Sequence, residues 1–113
     1  PRLNGGVLIK YNANQKYTTD GIAEALFKKL LQKEEIPYQE YTNRSDIAGG
    51  STLGNLSNEK ISLNTVDMGA AQLAMHSAYE TGGTKDTLSL VDGIRIFYES
   101  RIQMEEDGRY RCY

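Results

Sequence analysis

Three consecutive apolar residues, Val7-Leu8-Ile9, constrain this chain more than any other feature. A half-buried strand alternates apolar and polar positions, whereas a continuous β-branched-rich run belongs to a strand covered on both faces. Such a strand sits in the middle of a parallel or mixed sheet and needs strands on either side. The polar stretch Lys10–Tyr17 follows at once. It falls at the C-terminal end of the strand, the edge where open α/β sheets place their ligands.

The next segment supplies a helix. Thr18-Thr19-Asp20 offers N-cap chemistry. Ile22, Leu26 and Leu30 repeat at four-residue spacing from about Gly21, with Phe27 and Leu31 widening the stripe. Pro37 disfavours helical geometry at Ile36 and stops the helix near Glu34 or Glu35. Tyr38–Thr42 alternates and reads as a second strand. Asn43–Gly54 is a polar, glycine-rich connection, and Ser51 would cap a short helix over Thr52–Lys60. Ile61–Val66 alternates and reads as a third strand that Asp67-Met68-Gly69 ends. Ala70–Glu80 is mixed, Thr81–Thr84 reads as a turn, and a last helix is predicted over about Lys85–Ser100. Its stripe is Leu88, Val91, Ile94 and Tyr98, with Leu90 and Phe97 beside it. Gly93 inside that helix costs about 1 kcal/mol relative to alanine, which close packing on the sheet would explain. Arg101–Tyr113 reads as a charged tail. The order β-α-β-(α)-β-α implies an α/β layer architecture.

Composition excludes several function classes. With 13 basic and 15 acidic residues the net charge is -2, so no charge-driven nucleic-acid or membrane-surface role is expected. No apolar run approaches the roughly 20 residues of a membrane helix. The single cysteine, Cys112, cannot form an internal disulfide and fits a reducing, cytoplasmic location.

Three groups of residues could carry chemistry. The only histidine, His76, follows the third strand in a segment rich in small residues. Imidazole is the commonest protein metal ligand, yet a lone histidine is also often a core or surface residue. A zinc site needs three or four protein ligands, and no second histidine or HExxH spacing exists here. The run Asp46–Gly54 contains Gly49-Gly50 followed by Ser51 and Thr52. It could expose N–H groups to an anion, or simply turn the chain and cap a helix. Lys10 and Tyr17 flank Asn12, Asn14 and Gln15 at the ligand edge; the alternative is a snorkelling lysine and a packed tyrosine. Ser51 is in no G-x-S-x-G elbow, and no Gly-Lys-Ser/Thr follows the glycines.

Four blocks in order resemble the aspartyl aminopeptidase family: Ile9–Tyr17, Arg44–Gly54, Val66–Gly69, and Gln72-Leu73-Ala74-Met75-His76-Ser77 with Glu80 and Thr81. The resemblance covers roughly Gly6 to Glu99, and the Gln-Leu-Ala-Met-His-Ser block is its most specific part. It implies a three-layer α/β/α zinc-exopeptidase fold, of which residues 1–113 would be the C-terminal segment of the catalytic domain. It further implies a di-zinc hydrolase that removes N-terminal residues, preferentially Asp or Glu, from peptide substrates, with a glutamate as general base. By the same resemblance His76 would ligate one zinc, and Lys10 and Tyr17 would contact substrate together with His76. The family's other ligands and its catalytic glutamate come from earlier sequence, so no catalytic residue is expected in this chain. Pro1 then reads as an excision point, and the isolated chain is expected to be inactive. The family assembles into a homo-oligomeric dodecamer, so the rest of the catalytic domain and neighbouring subunits are expected partners. Where the family's loop can carry a cysteine, Ala48 precedes Gly49 here. The rival reading is a stand-alone α/β module without a metal centre that binds a peptide or anion or serves assembly.

Overall fold

The computed structural model describes residues 1–11, 21–42 and 64–113. The predicted cap Thr18–Asp20, the helix over Thr52–Lys60 and residues 61–63 of the third strand lie outside these described residues.

Among the described residues, strand β1 (Val7–Tyr11) is the centre of a three-stranded sheet of order β2-β1-β3. It pairs parallel with β2 (Tyr38–Thr42) and antiparallel with β3 (Asp67–Gly69), so the sheet is mixed. Val7, Leu8 and Ile9 are all buried, as the unbroken apolar run requires. Val7 and Ile9 point to one face and Leu8 and Lys10 to the other, by the two-residue period of a strand.

Helix α1 (Gly21–Lys33) covers the Val7 and Ile9 face with Ala23, Phe27, Leu30 and Leu31. Full burial of a side chain such as Leu31 is worth about 1.5–3 kcal/mol. Ile22, expected in the stripe, is instead half-exposed at the helix start. The helix ends in a Schellman arrangement, with the Ile36 N–H donating to the Leu31 carbonyl at 2.9 Å and the Glu35 N–H to the Gln32 carbonyl at 3.2 Å. Glu35 takes the left-handed position at φ 55°, and Ile36 then folds back onto Leu31 in the core. Pro37 thus finds the chain already turned, and its carbonyl accepts the Val7 N–H at 3.0 Å.

Helix α2 (Thr84–Glu99) lies on the same face, beside α1. The predicted apolar stripe is not the face it buries. Asp86, Ser89 and Gly93 are buried, flanked by Leu90 and Ile96, while Leu88 is 64% and Tyr98 80% exposed. Small residues let the helix axis approach the sheet closely, which the larger residues would prevent. A Cβ on Gly93 would meet Leu31 Cδ2 at 3.4 Å and Val7 Cγ2 at 3.5 Å. These are ordinary van der Waals distances, so packing does not exclude an alanine there. Among the described residues both helices share one face, giving two layers.

Asp86 fastens α2 to the N-terminal segment. Its carboxylate, 1% exposed as a residue, accepts the N–H groups of Asn4 and Gly6, each at 2.9 Å. In return Asn4 Oδ1 accepts the Lys85 N–H at 3.0 Å, capping a helix whose N-cap residue, Gly83, has no side chain to do so. Gly6 has φ 97°, and a Cβ there would stand 2.1 Å from the Pro37 carbonyl oxygen.

Two hairpins depart from the predicted elements. β4 (Gln72–Leu73) pairs antiparallel with β5 (Thr81–Gly82), within the mixed segment and the predicted turn. The expected charged tail is a hairpin of β6 (Ile102–Met104) and β7 (Tyr110–Cys112). Gly108, at φ 84°, closes its turn after Asp107. The signal was an Asp-Gly pair between two alternating runs. Among the described residues the third strand is β3 on Asp67–Gly69, the run that was expected to end it.

Candidate functional site

The ligand edge of β1 presents Lys10 and Tyr11 in opposite directions. Tyr11 turns to the helix side. Its hydroxyl donates to Glu40 Oε2 at 2.7 Å, and Lys28 pairs with both Glu24 and Glu40. Hydrogen bonds from Lys28 and then Tyr11 hold the Glu40 carboxyl below the usual carboxylate range. The hydrogen bond to Glu40, aided by partial desolvation, raises the Tyr11 phenol. Lys28 is raised by its two carboxylate partners, Glu24 first. All three side chains keep solvent contact. This network joins α1 to β1 and β2 and belongs to the scaffold.

Lys10 turns to the opposite face. Its cross-strand neighbours are Tyr41 on β2 and Asp67 on β3, both directed to that face by the register. A cleft of about 510 Å³ opens there, bounded by Leu8, Lys10, Tyr41, Gly69, Gln72 and Met75 among others. That volume lies within the usual range for small-ligand and peptide-terminus sites.

His76 sits on the turn of the β4–β5 hairpin, exposed, at φ 67°; Ala74 is also left-handed at φ 52°. Ser77 holds the turn. Its N–H donates to the Ala74 carbonyl at 3.0 Å, its Oγ accepts the Tyr79 N–H at 3.1 Å, and its carbonyl accepts the Glu80 N–H at 3.3 Å. A left-handed conformation at a non-glycine residue costs of order 1–3 kcal/mol and concentrates at functional sites. The neighbouring Met75 lines the same cleft as Lys10, so hairpin and strand end border one opening. Tyr17 and the run Asp46–Gly54 lie outside the described residues.

Sequence reasoning missed Tyr41, Gln72 and Met75 as cleft walls. Tyr41 could have been found from its register with Lys10, once Tyr38–Thr42 was paired in parallel.

No cluster of three or more His, Cys, Asp or Glu able to hold a metal occurs among the described residues. His76 alone cannot satisfy a zinc ion, so these residues fit at most one corner of a metal site. No helix among the described residues is long and apolar enough to cross a membrane.

Comparison with known proteins fits this geometry. Residues 1–98 match the family described as "Aminopeptidase I zinc metalloprotease (M18)". The chain is 41% identical over 100 residues to "Probable M18 family aminopeptidase 2" of Pseudomonas paraeruginosa, covering 88% of this chain and 23% of that protein. It is 38% identical over 99 residues to "Probable aspartyl aminopeptidase" of Ricinus communis, covering 88% and 20%. Among solved structures it superposes on a chain of the "Cryo-EM structure of the Ape4 and Nbr1 complex" with a TM-score of 0.83 at 38% identity, covering 88% of this chain and 19% of that one. The chain thus spans less than a quarter of the length of these relatives. With the family match running through the strand, the helix and the histidine hairpin alike, the chain belongs to the M18 family of zinc metalloprotease aminopeptidases.

Proposed function

We propose that the protein carrying this chain is a zinc-dependent aminopeptidase that removes N-terminal residues, acidic ones by preference, from peptides. The family match over residues 1–98 carries this reading. In it, the His76 imidazole gives one nitrogen to zinc. Its place on a turn held by Ser77 supports this, because a ligand on a constrained turn loses little freedom on binding. Zinc, when bound, polarises the scissile carbonyl and activates water.

Lys10 lines the cleft, where its ammonium would form a charge-assisted hydrogen bond with an Asp or Glu side chain of the substrate. Tyr17 is assigned a substrate contact by the family resemblance. The remaining zinc ligands, the second ion and the general base come from other parts of the polypeptide, as does the rest of a three-layer α/β/α arrangement. Assembly into a dodecamer and a cytoplasmic location complete the proposal.

Hydrolysis of an aspartyl chromogenic substrate tests it. The full-length protein is expected to turn over this substrate faster than an alanyl one, and the isolated chain to be inactive. His76→Ala in the full-length protein is expected to lower bound zinc, measured by metal analysis, and to abolish turnover. Full zinc content and normal turnover in that variant would falsify the ligand assignment.

A further inference from the structure

Helix α2 turns its small residues toward its neighbours and large apolar ones away from them. A Cβ on Gly93 would meet Leu31 of α1 at 3.4 Å and Val7 of β1 at 3.5 Å, so Gly93 marks the direction of both. At about 100° per residue, Ile94, Tyr98 and Val91 lie about 100–160° round the helix from Gly93 in one sense. Asp92, Glu99 and Arg95 lie about 100–160° round it in the other sense.

The charged flank is an ordinary solvent face. Arg95 pairs with Asp92 at 3.4 Å, and both border a groove shared with Glu34 at the end of α1. The other flank has no such character. Ile94 is 42%, Val91 47% and Tyr98 80% exposed. These three continue an apolar arc that starts at Leu90, packed against the core, and at Phe97, which lines an opening with Leu26 and Ile102. Isolated exposed apolar residues are normal on a protein surface. A contiguous arc running out from the core marks a contact surface, and a helix with apolar groups on opposite sides is one that is covered on both.

We infer that the Val91, Ile94 and Tyr98 flank of α2 is a docking surface for another part of the same polypeptide, outside residues 1–113, which packs an apolar face of its own against it. The length of the relatives favours this occupant. The 100 residues matched to the Pseudomonas paraeruginosa protein are 23% of it, so more than three-quarters of such a polypeptide lies elsewhere. All three flank residues fall within the family match over residues 1–98. A tethered segment also meets α2 at high effective concentration, whereas a second copy must be recruited from solution. Family membership carries this reading and the proposed aminopeptidase activity does not enter it, so its failure would leave the roles of His76 and Lys10 untouched.

The test uses the full-length protein with Val91→Cys or Tyr98→Cys. Each is treated with a maleimide, native and denatured, and the modification rate at that position is read by peptide mass spectrometry. Docking is expected to slow native modification at both positions at least about tenfold relative to the unfolded protein. Val91→Cys is the milder change and keeps the test open if the Tyr98 variant folds poorly. A photoreactive Tyr98→p-benzoylphenylalanine variant then identifies the occupant. The expected crosslinked product has the mass of one subunit, and its partner peptide comes from outside residues 1–113. Native modification within about threefold of the unfolded rate would overturn the inference, because the flank would then face solvent. So would a product with the mass of two subunits, which assigns the flank to a second copy. A partner peptide from within residues 1–113, or no crosslink at all, would overturn it as well.

Discussion

The Asp86 carboxylate accepts the backbone N–H of Gly6 at 2.9 Å, joining residues 80 positions apart in a buried contact. The same carboxylate takes the Asn4 N–H through its other oxygen. An acid in the first turn of a helix also interacts favourably with the positive end of the helix dipole. Asp86→Ala leaves two backbone donors without their acceptor. It is expected to cost about 2–4 kcal/mol, read by denaturant unfolding of the full-length protein. Asp86→Asn keeps one acceptor but turns an NH₂ toward the other donor, so it should recover only part of that loss.

Glu35 occupies the left-handed position of the α1 terminus at φ 55°. Glycine adopts that conformation without the steric cost borne by a residue with a Cβ. Glu35→Gly is expected to raise stability by about 0.5–1 kcal/mol, seen as a higher Tm. A lower Tm would mean that the Glu35 side chain contributes something beyond the turn.

Gly93 offers a second gain of a different origin. The nearest atoms to an added Cβ are at 3.4–3.8 Å, so alanine fits without displacement. Gly93→Ala should then stabilise α2 by up to about 1 kcal/mol through helix propensity alone. If unfolding shows a loss instead, the close approach of α2 to β1 is tighter than these distances indicate.

The Glu40 network predicts a pH response. The folded-state pKa of Glu40 lies below its ordinary 4.5, so its contribution is complete above that value and disappears as pH falls through the folded one. Lys28 and Tyr11 are shifted upward, so their contributions are complete below their ordinary values of 10.5 and 10.0 and are lost at higher pH. The side chains are partly exposed, so the whole effect is modest. Glu40→Gln should cost about 0.5–1 kcal/mol near neutrality, and the difference from wild type should shrink in acid. A difference independent of pH between 3 and about 7 would contradict this account.

The fold was legible where side-chain type alone decides burial. Val7-Leu8-Ile9 gave the central strand; the end of α1 lay near where Pro37 put it, but the left-handed turn at Glu35 makes it. It was not legible where small residues do the packing. On α2 the buried face is Asp86, Ser89 and Gly93, and no hydrophobic stripe marks it; the visible stripe of Leu88, Val91, Ile94 and Tyr98 faces outward. The site was legible in the same uneven way. Lys10 could be placed at a ligand edge because it ends an apolar run, and His76 gained weight only from the family resemblance of its block. The walls of the cleft depend on register. That Tyr41 stands beside Lys10, and that Gly69 lies under its side chain, follows from how β2 and β3 slide against β1, which single-strand patterns do not contain.

The position of β1 at the middle of its sheet also has a consequence for synthesis. This strand is made before β2 and β3, and its β3 partner Met68 follows Ile9 by 59 residues. At about 5–20 residues per second, several seconds pass before the edge of this strand, which opens with three buried apolar residues, meets its native β3 partner. Gly6, immediately before it, waits longer still for Asp86. During that interval the nascent chain is most exposed to mispairing, and a chaperone acting early in translation would find β1 its natural target.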